Sequence, residues 1–429
     1  MSNWKNFGSA KLLVPNLYLK SQYRNIAWFS KLPLADPDPI FGLLDSFLQD
    51  TSKQKVNLGV GAYRDDEGNP YVLQSVRKAE LKIMCKSMNK EYAGMIGNQA
   101  FCRKAFDFAM GEGNEFSECG RTVFCHTIAG SGAISVAGGF LSKWFPHNKV
   151  IYICEPTWPN HHRILEHAGM TTKTYRYYNE KTLALDFEGM KDDLNKIPCK
   201  SIVLFHAAAH NPTGVDPTPK QWDEIVAICK ERKFYIFVDF AYQGFGSGDP
   251  DMDAYPVRQF AKAGLGMAIC QSFSKNMGLY GERAGLASFI CKCPDEAKRV
   301  ESQVKLIARS IYSNPSINGA RIVLEILSDK KLKKLWLKEL KQMASRIHWA
   351  RKTLKEGMAR AGSTLNWDHI TNQIGMFSYT GIKGPAVKKL TKDYHIYMME
   401  NGRISISGIN TKNVDYVCKA FHSVATHKK

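Results

Sequence analysis

The 429-residue sequence lacks the features of several protein classes. It contains no run of 18 uninterrupted apolar residues, so we expect no integral membrane segment. Its 11 cysteines include no CxxC pair, and the two closest in sequence are Cys291 and Cys293. Such an odd, scattered set is typical of buried thiols in a reducing compartment and argues against a disulfide framework.

Acidic residues are absent from the first 35 positions, which hold five basic residues: Lys5, Lys11, Lys20, Arg24 and Lys31. Basic, acid-poor segments of this kind are typical of mitochondrial transit peptides. We therefore interpret residues 1–29 as a transit peptide, cleaved between residues 24 and 30, and expect a location in the mitochondrial matrix. The alternative is a basic arm that remains on a cytoplasmic protein.

Low-complexity stretches, internal repeats and recognised nucleic-acid modules are also absent, although the formal net charge is +19. The lysines are dispersed on predicted helices, as in DKKLKKLWLKELKQ (329–342), which favours solvated helix faces. We expect no nucleic-acid partner. A non-enzymatic role in binding acidic membranes or fatty acids has only this charge in its favour.

Short apolar runs alternate with helical patterns along the chain. The runs are Val150–Cys154, Ser201–Phe205, Tyr235–Phe240 and Met267–Phe273, and a typical helical pattern is PKQWDEIVAICKERK (219–233). Strands that are apolar throughout and alternate with helices predict an α/β fold with a largely parallel sheet covered on both faces. The mostly helical region 315–362 and the strand-like pieces after it indicate a second, smaller domain.

Residues that can take part in catalysis or binding follow these runs, at the strand ends where α/β folds bind their ligands. Lys275 lies in a Ser- and Gly-rich turn after one run, and a sheltered lysine has a lowered pKa. Its neutral amine can form a Schiff base with an aldehyde cofactor. A surface loop lysine is the ordinary alternative, and the surrounding residues argue against it.

Asp239 ends the apolar run YIFVD, where an unpaired carboxylate is costly. A protonated pyridine ring nitrogen would pair with it, and a ring kept protonated accepts electrons from a substrate carbanion. Tyr242 and Asn211 offer hydrogen bonds to the phenolic oxygen of such a cofactor. A structural ion pair or helix cap is the alternative for Asp239.

Phosphate donors occur in two segments. Arg283 offers a planar fork, Ser272 and Ser131 offer hydroxyls, and IAGSGAIS (128–135) can open a helix whose amides favour an anion. The Gly130-x-Gly132 pair is a weak sign of a dinucleotide-binding loop, because Ser135 occupies the position of the third small residue in the G-x-G-x-x-G motif.

Trp158 and a histidine pair carry weaker signals. Trp158 follows a strand and can stack on a pyridine face, or it can be a core tryptophan. His206 and His210 have zinc-like spacing, but they do not share a helical face and no third ligand stands out. We expect no metal, and a supporting contact to Asp239 from His161 or His206 instead.

Several long segments together resemble the aspartate aminotransferase family: HNPTG, VDFAYQGF, SFSKNMGLYGER and GRISISG, in this order. The resemblance begins near Ala35 with ADPDPIFGLL and VNLGVGAYRDDEGNPYVL, runs to the C-terminus, and is closest to the animal mitochondrial branch. It implies a fold-type-I pyridoxal-phosphate transferase with a seven-stranded, mostly parallel sheet between helices and a smaller α+β domain. Residues 30–70 would form an N-terminal arm and part of the small domain, 71–342 the large cofactor-binding domain, and 343–429 the small C-terminal domain.

The resemblance also implies residue roles in pyridoxal 5'-phosphate binding and catalysis. Lys275 would hold the cofactor as a Schiff base and act as acid and base, while Asp239, supported by His161, pairs with the ring nitrogen. The remaining cofactor contacts would be Tyr242, Asn211, Trp158, Gly130, Ser131, Ser272 and Arg283, together with Tyr92 from the other subunit of a homodimer with shared active sites.

Substrate residues follow from the same resemblance. Arg403 matches the clamp for the α-carboxylate, Arg309 matches the arginine that reaches across the dimer to the side-chain carboxylate, and Gly61 adds a backbone contact. Two arginines predict dicarboxylic amino acids and 2-oxo acids as substrates, hence transamination of L-aspartate with 2-oxoglutarate. Aromatic amino acids or kynurenine are the alternative substrates.

Three positions depart from the family pattern. Ala129 stands where the family has a serine, which removes one phosphate hydroxyl and predicts lower cofactor affinity. Pro159 follows the stacking tryptophan where the family has Gly or Ser, and Ser310 replaces a proline after the distal arginine. None of the three removes a catalytic group, so we expect an active enzyme.

Overall fold

The computed structural model describes residues 28–35 and 38–425. The chain divides into two units, 1–38 and 39–429. Most of the predicted transit segment lies outside the described residues. In the described part of the first unit, Trp28, Phe29, Leu32 and Leu34 are exposed.

Sixteen α-helices occur within the described residues. They are α1 (Pro39–Gln49), α2 (Gln74–Cys85), α3 (Gln99–Met110), α4 (Glu115–Glu118), α5 (Ala129–Trp144), α6 (Asn160–His167), α7 (Phe187–Lys196), α8 (Pro219–Arg232), α9 (Pro250–Asp253), α10 (Tyr255–Lys262), α11 (Pro294–Tyr312), α12 (Asn318–Ser328), α13 (Lys330–Arg360), α14 (Asp368–Asn372), α15 (Pro385–Tyr394) and α16 (Val414–Ala425).

Thirteen strands accompany these helices in the same described ranges. They are β1 (Val56–Asn57), β2 (Thr122–Ile128), β3 (Val150–Glu155), β4 (Thr171–Arg176), β5 (Tyr178–Asn179), β6 (Ala184–Leu185), β7 (Ile202–His206), β8 (Tyr235–Phe240), β9 (Met267–Ser272), β10 (Ala284–Ile290), β11 (Phe377–Tyr379), β12 (Ile396–Tyr397) and β13 (Arg403–Ser405). A single 3-10 turn, Ile406–Gly408, follows β13.

A seven-stranded sheet organises the fold, with strand order β2-β10-β9-β8-β7-β3-β4. Only β10 runs antiparallel to its neighbours in this sheet. The four apolar runs of the sequence are β3, β7, β8 and β9, each within one residue of its expected bounds at either end. The prediction of an α/β fold with a mostly parallel sheet is confirmed.

Successive residues of the central strands face opposite sides of this sheet. In β7, Ile202 and Leu204 belong to one buried cluster, while Val203 and Phe205 belong to another. The first cluster also takes residues from α5 and α11, and the second takes residues from α3, α8, α12 and α13. Both faces are therefore covered by helices, which explains why these strands are apolar throughout.

Two small pairings join distant parts of the chain. β1 pairs with β12 in parallel, and β11 pairs antiparallel with β13. The contact between β1 and β12 is compatible with the assignment of 30–70 and 343–429 to one small domain. The expected boundary at 342/343 falls inside α13, a continuous helix of 31 residues, and the domain bounds stay a prediction.

Candidate active site

A cavity of about 480 Å³ opens at the carboxyl ends of the parallel strands. It brings together most of the residues that the sequence singled out. Its lining includes Gly61, Gly130, Ser131, Trp158, Asn211, Asp239, Tyr242, Ser272, Lys275, Arg283 and Arg403. These residues come from segments more than 300 positions apart, so the fold itself assembles the site.

Asp239 lies near the end of β8 at the floor of this cavity, with only 8% of its surface exposed. Its Oδ2 is 3.1 Å from Nε2 of His161, whereas its Oδ1 is buried and has no hydrogen-bond partner within the described part of the chain. Desolvation raises the pKa of Asp239, but the hydrogen bond with His161 and the electrostatic effects of His161, His206 and Lys275 together leave the pKa below its ordinary value. The carboxylate thus presents an unused charged oxygen, which fits a pyridinium N–H.

A chain of side chains supports His161 from behind. Its Nδ1 lies 2.8 Å from Oγ1 of Thr157, which is 3.1 Å from Nε2 of His206. Burial lowers the pKa of His206 to about 3, so this ring is neutral at physiological pH. Trp158 meets the ring of His161 edge to face, with centroids 5.3 Å apart. This network fixes the direction of Asp239.

Lys275 lies in the turn after β9, with its Nζ 5.2 Å from the centroid of the Tyr242 ring. Desolvation lowers the pKa of Lys275, against the opposing effect of Asp239, and the charge of Arg283 lowers it further. A lowered pKa increases the neutral fraction of the amine, which is the nucleophilic form. The cavity therefore holds an activated amine and an unsatisfied carboxylate oxygen.

A cradle of small and polar residues lies beside Lys275. The first turn of α5 supplies Gly130 and Ser131, and a Cβ on Gly130 would lie 3.2 Å from the Cβ of Ser272. Arg283 donates from Nη2 to Oγ of Ser131 over 3.3 Å. Ala129, which lacks a hydroxyl, has a positive φ of 56° at the same helix start. The helix amides, two hydroxyls and a guanidinium together suit a phosphate.

Arg403 is 2% exposed, and no carboxylate pairs with it among the described residues. Its Nη2 donates to the carbonyl of Gly59 over 2.9 Å, and its Nη1 donates to Oδ1 of Asn211 over 3.3 Å. Its Nε is buried without a partner, and desolvation lowers its pKa. A buried guanidinium of this kind is completed by an anionic ligand such as a carboxylate.

Phe377 is a cavity residue that sequence reasoning missed. Its ring lies 4.4 Å from the Cζ of Arg403, and a Cβ on Gly61 would lie 2.7 Å from the same ring. The Gly61 position therefore requires glycine for a close approach to the ring. Neither residue type signalled this contact, because an apolar phenylalanine in a short strand normally indicates only core packing.

Sequence reasoning weighed the His206 and His210 pair but missed Cys154, which joins the two histidines in a buried cluster. The candidate ligand atoms of the three residues lie within 4.8 Å of one another, and Cys154 Sγ is 3.2 Å from His210 Nε2. Cys154 comes from β3, so its position beside the histidine pair required the sheet order. Burial raises the pKa of this thiol to about 12, so the pair is a thiol hydrogen-bonded to an imidazole.

Three predicted site residues do not line the cavity: His161, which lies behind Asp239, and the surface residues Tyr92 and Arg309. Tyr92 is 83% exposed, and Arg309 is exposed near the end of α11, where it donates to Oγ of Ser313. In the single chain, the side chains of Tyr92 and Arg309 are exposed to solvent. Their roles stay predictions, as do those of the residues in the cavity.

Known proteins match the chain over nearly its whole length. Residues 53–421 match the family model for aminotransferases of class I and II. The mitochondrial aspartate aminotransferase of Gallus gallus is 48% identical over 94% of this chain and 95% of that protein. A mitochondrial aspartate aminotransferase from Trypanosoma brucei superposes with a TM-score of 0.86 at 42% identity, covering 89% of this chain and 99% of that one.

A further solved structure bears on the cofactor. The aromatic-amino-acid aminotransferase of Burkholderia pseudomallei, covalently bound to pyridoxal phosphate, superposes with a TM-score of 0.89 at 39% identity. The match covers 92% of this chain and 99% of that one. The phosphate cradle, the amine and the partnerless carboxylate oxygen described above fit this cofactor. The chain belongs to the class I and II aminotransferases, a family dependent on pyridoxal phosphate.

Proposed function

We propose that this chain transfers the amino group of L-aspartate to 2-oxoglutarate, forming oxaloacetate and L-glutamate. The observation that carries the proposal is the joint presence, in one cavity, of the Lys275 amine, the Oδ1 of Asp239 and the guanidinium of Arg403. Among the described residues, that Oδ1 has no hydrogen-bond donor and that guanidinium has no carboxylate partner. The relatives named as aspartate aminotransferases support the choice of substrate. Each of these three groups meets a different requirement of the reaction, so the loss of any one leaves that requirement unmet.

Four groups of the cavity would hold the cofactor. Asp239 would pair with the ring nitrogen, Lys275 would bind the aldehyde carbon, and Arg283 with Ser131 would take the phosphate. When bound, pyridoxal phosphate supplies an electron sink for the electron pair released at the substrate Cα. Asn211 and Tyr242, whose polar atoms are 3.5 Å apart, lie where they can donate to the phenolic oxygen.

Lys275 is the proton carrier in this proposal. Its neutral Nζ takes the proton from the substrate Cα and holds it as an ammonium until it is returned. Desolvation favours the neutral amine before the transfer, and the nearby Asp239 charge stabilises the ammonium after it. The lowered pKa therefore suits a group that must act as base and then as acid.

Two arginines would recognise the two carboxylates of the substrate. Arg403 binds the α-carboxylate from within the cavity of the same chain. Arg309 lies outside that cavity, and we infer that in a homodimer it reaches the side-chain carboxylate in the other subunit's site. Tyr92, equally exposed, would contribute a phosphate contact in the same way. The proposed active site is therefore complete only in the dimer.

Two half-reactions observed separately test this function. The full chain is loaded with pyridoxal phosphate, and the absorbance of the bound cofactor is followed as aspartate and then 2-oxoglutarate are added. The proposal predicts that aspartate bleaches the band, with one oxaloacetate formed per site, and that 2-oxoglutarate restores it. An unchanged spectrum with either reactant would contradict it.

Aromatic amino acids are a second candidate substrate class. The structural similarity to the Burkholderia enzyme, named for aromatic amino acids, favours it. The discriminating quantity is the ratio of kcat/KM for aspartate to kcat/KM for phenylalanine. A ratio well above one supports the dicarboxylate proposal, and a ratio below one supports the aromatic proposal.

We also propose a mitochondrial matrix location, which the relatives named as mitochondrial enzymes support. Expression of the full chain with a C-terminal tag in eukaryotic cells tests it. A tagged matrix protein that begins between residues 24 and 30 is expected. An uncleaved cytoplasmic protein would contradict the proposal.

A further inference from the structure

The loop between β7 and α8 carries Asn211 into the cavity, and one acidic side chain closes that loop. Asp216 accepts a hydrogen bond at Oδ2 from the backbone N–H of Ala209 over 2.6 Å. It accepts a second at Oδ1 from the backbone N–H of His210 over 2.8 Å. Both donors immediately precede Asn211. The Asp216 side chain thus holds the backbone of the two residues that precede Asn211, whose side-chain amide lines the cavity.

The chemistry at Asp216 is unusual for a surface-loop acid. No lysine, arginine or histidine forms an ion pair with it among the described residues, and its two oxygens serve backbone amides alone. Desolvation raises the pKa of Asp216 to about 7, against the lowering effect of these two amides. The two oxygens of Asp216 supply two acceptors for these backbone amides, which an apolar residue would not supply.

The backbone that Asp216 holds is strained, and its two N–H groups bond to Asp216 alone among the described residues. Ala209 has a positive φ of 53°, which costs an L-residue about 1 kcal/mol or more. The rest of the loop is fixed separately, since the N–H of Gly214 bonds to the carbonyl of His210 over 2.7 Å, and Tyr177 stacks on the His210 ring. Loss of the carboxylate would release the strained segment and leave two N–H groups unsatisfied.

Asn211 depends on this backbone because its side chain bridges two parts of the site. Its Nδ2 lies 3.5 Å from the Tyr242 hydroxyl, and its Oδ1 accepts from Nη1 of Arg403 over 3.3 Å. A displacement of the backbone at residue 210 would change the geometry of both contacts. The amide therefore links the cofactor side of the cavity to the carboxylate clamp.

We propose that Asp216 is a positioning residue, which aims the Asn211 amide at the cofactor and at Arg403 by holding the backbone of residues 209 and 210. The inference rests on the proposed function. Asp216 touches neither substrate nor cofactor, so its removal must act through Asn211. A residue that merely stabilises the fold would show no such dependence.

A double-mutant cycle on the full chain loaded with pyridoxal phosphate separates these roles. The four proteins are the wild type, Asp216→Ala, Asn211→Ala and the double variant. The two readouts are the pH midpoint of the bound cofactor's absorbance change and the Kd of succinate, an unreactive dicarboxylate. Neither readout requires turnover.

The expected results are specific. An amide that donates to the phenolic oxygen favours its anionic, deprotonated form, so Asn211→Ala should raise the pH midpoint. Asp216→Ala should raise it in the same direction and weaken succinate binding by about fivefold, the equivalent of one hydrogen bond. In the Asn211→Ala background, the Asp216 substitution should add almost nothing to either value.

Two further variants guard the interpretation. Asp216→Asn keeps one acceptor oxygen and should give values between those of the wild type and Asp216→Ala. If Asp216→Ala does not fold, Asp216→Asn takes its place in the double-mutant cycle. Asp186→Ala removes a comparable backbone contact, since Asp186 accepts from the N–H of Gly189 over 3.1 Å at the start of α7, and should move neither readout.

Additive effects of Asp216→Ala in the two backgrounds, or a wild-type midpoint and succinate Kd in Asp216→Ala, would overturn the positioning role. Failure of the proposed function has a different signature. In that case the wild type itself shows no pH-dependent cofactor absorbance and no succinate effect.

Discussion

Asp239 gives one of its two carboxylate oxygens to His161 and keeps the other without a partner. The bonded oxygen lies 3.1 Å from Nε2 of His161, while Oδ1 is buried in the cavity with no donor among the described residues. A buried charged oxygen without a donor is costly. The arrangement is best explained as a site prepared for a ligand N–H, and the cofactor's ring nitrogen provides one.

Replacement of this carboxylate should remove the charge that keeps the ring nitrogen protonated. We expect Asp239→Asn to lower kcat for aspartate and 2-oxoglutarate by about 10²–10³-fold, the usual effect of losing one preorganised electrostatic contact. His161→Asn, which loses only the support of Asp239, should have a smaller effect. Steady-state assays with saturating cofactor measure both, and a near wild-type kcat for Asp239→Asn would contradict the assignment.

Arg309 should decide between dicarboxylate and aromatic substrates. A charge-assisted hydrogen-bonded pair contributes about 1.5–3 kcal/mol, so Arg309→Leu should lower kcat/KM for aspartate by about 10–100-fold. The value for phenylalanine, which has no second carboxylate, should change little. Equal losses for both substrates would show that Arg309 does not read the side-chain carboxylate.

Because Arg309 is proposed to act across a dimer, mixing tests its origin. Heterodimers of Arg309→Leu and Lys275→Ala chains should contain one site with both substitutions and one with neither. The account predicts that mixing the inactive Lys275→Ala homodimer with the strongly impaired Arg309→Leu homodimer restores activity toward aspartate to about one quarter of the wild type per site, since half of the random dimers are mixed and each mixed dimer has one intact site. No recovery on mixing would mean that the Arg309 and the Lys275 of one and the same chain act together in one site.

Ala129 offers a test of cofactor affinity by gain of function. The residue lines the cavity beside Gly130, where a hydroxyl would reach the phosphate. Ala129→Ser should lower the Kd of pyridoxal phosphate by about fivefold or more, since a hydrogen bond to a charged group is worth at least about 1 kcal/mol. Equilibrium titration of the apoprotein measures it, with Ser131→Ala as the opposite control. A higher Kd for Ala129→Ser than for the wild type would mean that this position does not face the phosphate.

The sequence predicted the sheet and most of the cavity because both depend on local patterns. Apolar runs marked β3, β7, β8 and β9, and the polar residues just after them meet at one edge because parallel strands end together. Phe377 and Cys154 escaped notice since their positions depend on packing between distant segments. Asp216 was missed for another reason, as hydrogen bonds to backbone amides leave no pattern in the sequence.

His126 should make the fold sensitive to acid. The residue is fully buried on β2, and neither ring nitrogen has a hydrogen-bond partner in the ranges that the structure describes. Burial lowers its pKa to about 4. Between pH 6.5 and pH 4 the unfolded chain therefore binds a proton that the folded chain does not, and stability falls as the pH falls. This one group contributes a loss of about 3 kcal/mol across that window.

The substitution His126→Phe removes this titration. Thermal unfolding of the variant between pH 7 and pH 4 should show a shallower fall in Tm than the wild type, although His206 and His369 keep part of the slope. The comparison concerns slopes, because a larger ring beside Gly97 changes the stability at every pH. Parallel slopes for the two proteins would contradict the neutral, buried state of His126.

The most direct measurement of the central claim is the site of covalent cofactor attachment. The full chain loaded with pyridoxal phosphate is reduced with borohydride, digested and analysed by peptide mass spectrometry. The account predicts one pyridoxyl-phosphate group per chain, on the peptide that contains Lys275, and none on the Lys275→Ala protein. Attachment at a different lysine, or an unmodified Lys275 in a fully loaded protein, would contradict it.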